Sequence, residues 1–180
     1  MKYLSSIALA ALLCIVCTSC SFTPAPERDL DKMLSHLVNG KISRAEDYVF
    51  EGTLHINTKD KKAKSFYTSL FASITYIVSG STITDNTAEV TVSVTMIDMQ
   101  TLMAYASLDA LKDTFGESSN GAIKYYKVIT EKIDTGEVLF ETNVVTVYMI
   151  KDGGKWKVNM TNSSKFADAI TGGFKELIGY

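Results

Sequence analysis

Apolar residues recur every three or four positions through the first third of the chain that follows residue 27. Leu30, Met33, Leu34, Leu37 and Val38 form one such stripe, which predicts a helix packed on one side. Asn39-Gly40 ends it. Ser43 and Glu46 have the spacing of a capping box, which predicts a second helix with Ala45, Tyr48 and Val49 on its apolar side and Gly52 closing it. After Asn57-Thr58, the stripe Ala63, Phe66, Tyr67, Leu70 and Phe71 predicts a third.

The period then shortens to two. Ile74, Tyr76 and Val78 alternate with Ser73, Thr75 and Ile77. Past a turn at Asp85-Asn86, Ala88, Val90, Val92, Val94 and Met96 face one way while Glu89, Thr91, Ser93 and Thr95 face the other. This is the pattern of a half-buried antiparallel strand. Met99, Leu102, Met103, Ala106 and Ala110 return to helical spacing, and Gly116 ends that run. Residues 121–134 fit a helix through Ala122, Tyr126, Ile129 and Ile133, with a strand through Lys124–Val128 as the alternative. A β segment rich in Val, Thr, Phe and Tyr spans about Val138 to Ile150. Asp152-Gly153-Gly154 then makes a tight turn into a return strand whose Trp156, Val158 and Met160 face the core. A last helix begins near Ser163 or Ser164, with Phe166, Ile170, Phe174 and Leu177 inward and Gly172-Gly173 weakening it. The order predicts a single α+β domain: a curved antiparallel sheet of about four or more strands packed on helices.

The ends of the chain carry the address. Lys2 and the apolar run from Leu4 to Val16 read as a signal peptide over residues 1–19, since the run is too short for the ~20 apolar residues of a transmembrane helix. Val16-Cys17-Thr18-Ser19-Cys20 resembles the bacterial lipobox, with Cys17 where an aliphatic residue is usual. That resemblance implies lipidation of Cys20 and a membrane anchor facing away from the cytoplasm. Residues 20–27, with both prolines at Pro24 and Pro26, then read as a short tether, and 28–180 as the domain.

Cys14 and Cys17 leave with the leader, so no thiol remains for a disulfide, a metal or nucleophilic catalysis. Of 180 residues, 161 remain. Loss of Lys2 leaves 17 basic against 20 acidic residues, a formal charge of −3 with no basic excess for nucleic acid.

Two stretches carry a further resemblance. Ile74-Thr75-Tyr76-Ile77 through Asp85 to Ala88-Glu89-Val90-Thr91-Val92, and Val145-Thr146-Val147-Tyr148 through Lys151-Asp152-Gly153-Gly154-Lys155-Trp156-Lys157-Val158, are similar to small Gram-positive lipoproteins with a domain like nuclear transport factor two and the cystatin-like superfamily. The resemblance implies a cone-like sheet wrapped on helices and assigns no chemistry.

The histidines, His36 and His55, lack ligand spacing. With no thiol in the domain, zinc has no support, nor does any other cofactor. His36 reads as a half-exposed neighbour of the first stripe, and His55 as a connector residue that could line a pocket.

Asp98 reads first as the cap of the following helix. As an interior carboxylate with raised pKa it would be a general base for isomerase- or hydratase-type chemistry, with Tyr76 and Tyr148 as hydrogen-bond donors. Trp156 would fill or line the concave side. Lys59, Lys61, Lys62 and Lys64 are a solvated helix face or a contact with anionic lipid or wall polymer. The expectation is a non-catalytic envelope lipoprotein binding a protein or small-molecule partner, with a cone-fold enzyme or a structural envelope subunit as alternatives. Its oligomeric state is open.

Overall fold

The computed structural model describes residues 23–56, 59, 61–114 and 121–180, and their side chains except those of Lys62, 108–114 and 121–127. The leader, Cys20, Asn57-Thr58 and Gly116 lie outside the described residues.

Helix α1, Ala25–Val38, begins behind Pro24. Pro26 occupies its first turn, where a missing N–H costs nothing. The helix therefore starts inside the stretch expected as tether. Leu30, Met33, Leu34 and Leu37 are fully buried, each worth roughly 1.5–3 kcal/mol of apolar transfer. Gly40 at φ 65° turns the chain directly into α2, Ile42–Glu46.

The capping box does not form. The cap position is Lys41, no side chain caps the helix, and Glu46 instead accepts the backbone N–H of Leu54 at 3.2 Å. The earlier start places Ile42 in the core beside Ala45, and that burial sets the helix phase. Tyr48 and Val49 are buried as expected, but beyond the helix.

Helix α3, Lys61–Ala72, precedes strands β1, Thr75–Thr84, and β2, Thr87–Ile97. Helices α4, Met99–Thr114, and α5, Gly121–Thr135, follow; the second settles the helix-or-strand ambiguity as helix. Strands β3, Phe140–Asp152, and β4, Lys155–Val158, then α6, Ser164–Ala169, and a final 3₁₀ turn, Lys175–Ile178, complete the chain.

The four strands run β1-β2-β3-β4 in an open, fully antiparallel sheet. β2 and β3 pair from Thr87↔Ile150 to Ile97↔Phe140. Their inner residues, including Val90, Val92, Val94, Val147 and Met149, are buried against the helices. Trp156, Val158 and Met160 complete that layer. β4 is short. Where it stops, the Ser163 hydroxyl accepts the backbone N–H of Tyr148 at 2.9 Å, supplying the bond a longer strand would have made.

The last helix breaks where the glycines predicted. Gly172 adopts φ 62°, and any Cβ there would collide with the Ile97 carbonyl oxygen. No described helix is long and apolar enough to cross a membrane.

Candidate functional site

Asp98 stands at the junction of β2 and α4. Its Oδ1 accepts the backbone N–H of Thr101 at 2.9 Å and its Oδ2 accepts the Thr101 hydroxyl at 2.6 Å. These bonds, the hydroxyl's first, hold its carboxyl below the ordinary value of 3.8 against a small opposing effect of burial. That is the geometry of a helix cap. A general base for proton abstraction needs the opposite shift.

The two tyrosines do not converge. Tyr76 pairs with Val94 on the helix side of the sheet, and its hydroxyl donates to Asp31 Oδ1 at 3.0 Å. Burial first, then the Asp31 carboxylate, pushes its pKa up to about 12. Tyr148 pairs with Glu89 on the opposite face. One pocket cannot use both phenols.

Trp156 is a core residue at 5% exposure, so it fills the space between sheet and helices and offers no ring to a ligand there. Its backbone N–H donates to Oδ2 of the buried Asp29 at 3.0 Å, which ties β4 to α1. His55 is exposed, at φ 39°, with its ring 6.1 Å from that of Tyr180. It lines none of the depressions described below. His36 is half-buried beside Tyr48. Lys59, Lys61 and Lys64 are exposed around the start of α3. Among the described residues no group of His, Cys, Asp or Glu could hold a metal ion.

The available surface is the side of the sheet turned away from the helices. Threonine is the commonest residue at the outward positions of β1, β2 and β3, with Ile77 at 69% exposure, Val144 at 71% and Phe140 at 54% among the rest. At one end of this face lies an open depression of about 260 Å³. Its outward-facing lining includes Thr82, Thr84, Glu89, Tyr148, Asn159 and Asn162. Thr82, Glu89 and Tyr148 form one row across three strands.

Among the described residues neither the Glu89 carboxylate nor the Tyr148 hydroxyl has a partner. The set offers one anion, hydroxyls, amides and an aromatic ring, which suits binding of a polar ligand and lacks a nucleophile–base pair. The outward parity of Glu89 is legible in the alternation along β2. Its position opposite Tyr148 depends on the β2–β3 register. A second depression, lined by Thr101, Tyr105, Val138 and Leu139 among others, lies where α4 meets the connection into β3.

The fold and this surface define an α+β domain with an open four-stranded antiparallel sheet, one face covered by helices and the other left bare by the described residues. No family profile matches the sequence, and no curated protein matches it either. Solved structures similar in part to this chain include the following two. A candidate lipoprotein from Bacillus subtilis subsp. subtilis str. 168 aligns over 78% of this chain at 16% identity and a TM-score of 0.47, and the chain spans 45% of that protein's length. A candidate calcium/calmodulin dependent protein kinase II association domain from Xanthomonas campestris aligns over 72% of this chain and 76% of its own, at 11% identity and a TM-score of 0.36. Likenesses at this level carry no argument about activity.

Proposed function

We propose that this chain is a lipid-anchored protein of the outer face of a bacterial membrane, and that its domain binds a ligand or protein partner without catalysing a reaction. The observation that carries the binding half is the asymmetry of the sheet. Its helix side is filled by Trp156 and its neighbours, and Asp98 serves as a cap, while among the described residues nothing covers the opposite side, and the Glu89 carboxylate and Tyr148 phenol there have no partner. The anchor half rests on the short apolar leader and the lipobox-like residues ending at Cys20.

Palmitate labelling and cell fractionation test the anchor. The parent chain takes up label and sediments with membranes, and Cys20→Ser loses both properties. A Cys20→Ser chain that is still processed normally and stays membrane-bound would falsify the anchor. Retention on isolated cell-wall sacculi tests the binding face: Glu89→Ala with Tyr148→Ala lowers retention by about tenfold, the scale of losing an aromatic contact and a hydrogen bond. Turnover of a metabolite in an unbiased screen by the purified chain would end the non-catalytic reading.

A further inference from the structure

The two edges of the sheet are finished differently. Phe50 N–H donates to the Val158 carbonyl at 2.9 Å and Val158 N–H to the Tyr48 carbonyl at 2.7 Å, so residues 48–50 run parallel to the end of β4, and Asp29 takes the Trp156 N–H further back along it. β1 forms the other edge. Among the described residues no backbone pairs with its free side.

β1 is 10 residues long and contains no charged residue and no proline. Open edges of that length usually carry lysine, proline, an inward charge or a cover, because their unpaired N–H and C=O groups template another strand. The one irregularity here is a bulge between Val78 and Gly80.

The bulge also changes what β1 can pair with. The partners of β1 on β2 put Tyr76 and Val78 on the helix side before the bulge, and Ser81 and Ile83 on the same side after it. Two β1 strands laid antiparallel about an axis between Ser79 and Gly80 match Thr75 with Thr84, Tyr76 with Ile83, Ile77 with Thr82 and Val78 with Ser81. Every facing pair then lies on one side of the joined sheet. In a regular strand this register would set facing residues on opposite sides.

The match is self-complementary, as a twofold interface requires, and no charged residue of β1 opposes another, while Glu27 of α1 accepts the Ser81 hydroxyl at 2.9 Å on the helix side. It also brings Ile83, 49% exposed, against Tyr76.

We propose that the free edge of β1 pairs antiparallel with β1 of a second copy of this chain, joining two four-stranded sheets into one. The inference goes beyond the binding reading and does not need it; a monomeric protein would leave the anchored binder standing.

The test uses the full chain in detergent, by light scattering on a sizing column and by oxidation of a Ser79→Cys variant. Paired as described, the two Ser79 positions sit near the twofold axis on one side of the sheet, within disulfide reach. The expected results are a protein mass twice that of one chain, a disulfide dimer for Ser79→Cys, and none beyond the parent background for Thr146→Cys on β3. Ile77→Lys with Thr82→Lys, which sets lysine opposite lysine across the axis, should weaken the dimer by about tenfold or more while leaving the circular dichroism spectrum unchanged. A single-chain mass at every accessible concentration overturns the proposal. So does a dimer that survives the lysines and fails to cross-link through Ser79. Should the lysine variant misfold, the cysteine result decides alone.

Discussion

Three side chains show how polar groups are used at the level of single residues. Asp98 gains two bonds from Thr101, so replacing it with Ala should cost about 1 kcal/mol at neutral pH in guanidinium denaturation, and with Asn much less, because Asn also caps. Its folded pKa is depressed. The stabilisation is therefore complete above the unfolded value of 3.8 and is lost as pH falls through the lower folded value, so the gap between parent and Asp98→Ala closes in acid. Tyr76 behaves in the opposite sense. Its pKa is raised to about 12, so its contribution is complete below pH 10 and is lost between 10 and about 12. Absorbance titration of tyrosinate should find a group ionising at about pH 12 that disappears in Tyr76→Phe, while the upward shift that burial gives Tyr180 stays in the variant. Asp29, 5% exposed, accepts the Trp156 backbone N–H. Asp29→Ala strands that donor and should cost about 1–3 kcal/mol. Asp29→Asn keeps an acceptor and should cost less.

At the scale of elements, periodicity located the helices and strands well where one face is buried. The alternation along β2 placed all five inner residues, Ala88 to Met96, in the core. It failed where a local signal competed with packing. Ser43 and Glu46 have capping spacing, yet burial of Ile42 moved the helix start and left Glu46 to the Leu54 amide. The bulge in β1 left no pattern to read, since Ser79, Gly80 and Ser81 are all small and polar enough for either face.

The break at Gly172-Gly173 was legible, but its tightness was not. Gly172 lies against Ile97 and accepts the Met99 N–H at 3.2 Å. Gly172→Ala must take both a left-handed backbone and a steric clash, which should cost on the order of 3 kcal/mol in thermal or chemical unfolding. Trp156→Ala, which empties the centre of the β4 contribution to the core, should cost about 3–5 kcal/mol.

For the whole molecule, the question is which surface meets the outside. The net charge is small, so long-range steering is weak and local patches decide. Lys59, Lys61, Lys62 and Lys64 would add about 1 kcal/mol each beside an anionic bilayer. Partition of the full chain onto vesicles should therefore rise with anionic lipid content and fall with salt. Exchange of the four lysines for Glu should remove that dependence. An unaltered dependence on anionic lipid would assign the attraction to another surface.

What the sequence determined by itself was local: which segments are helical or extended, which side of each is apolar, and the α+β class that follows. Those properties depend on spacings within a few residues, and hydrophobic burial acts on them directly. The structure alone decided which distant residues meet. Tyr76 and Tyr148 look alike as strand tyrosines, but the sheet puts them on opposite faces, and only the β2–β3 register sets Tyr148 against Glu89. Trp156 could have lined a hollow, and the helices fill that space instead. Register and layer packing are sums over many long-range contacts, and no short window of the chain encodes them.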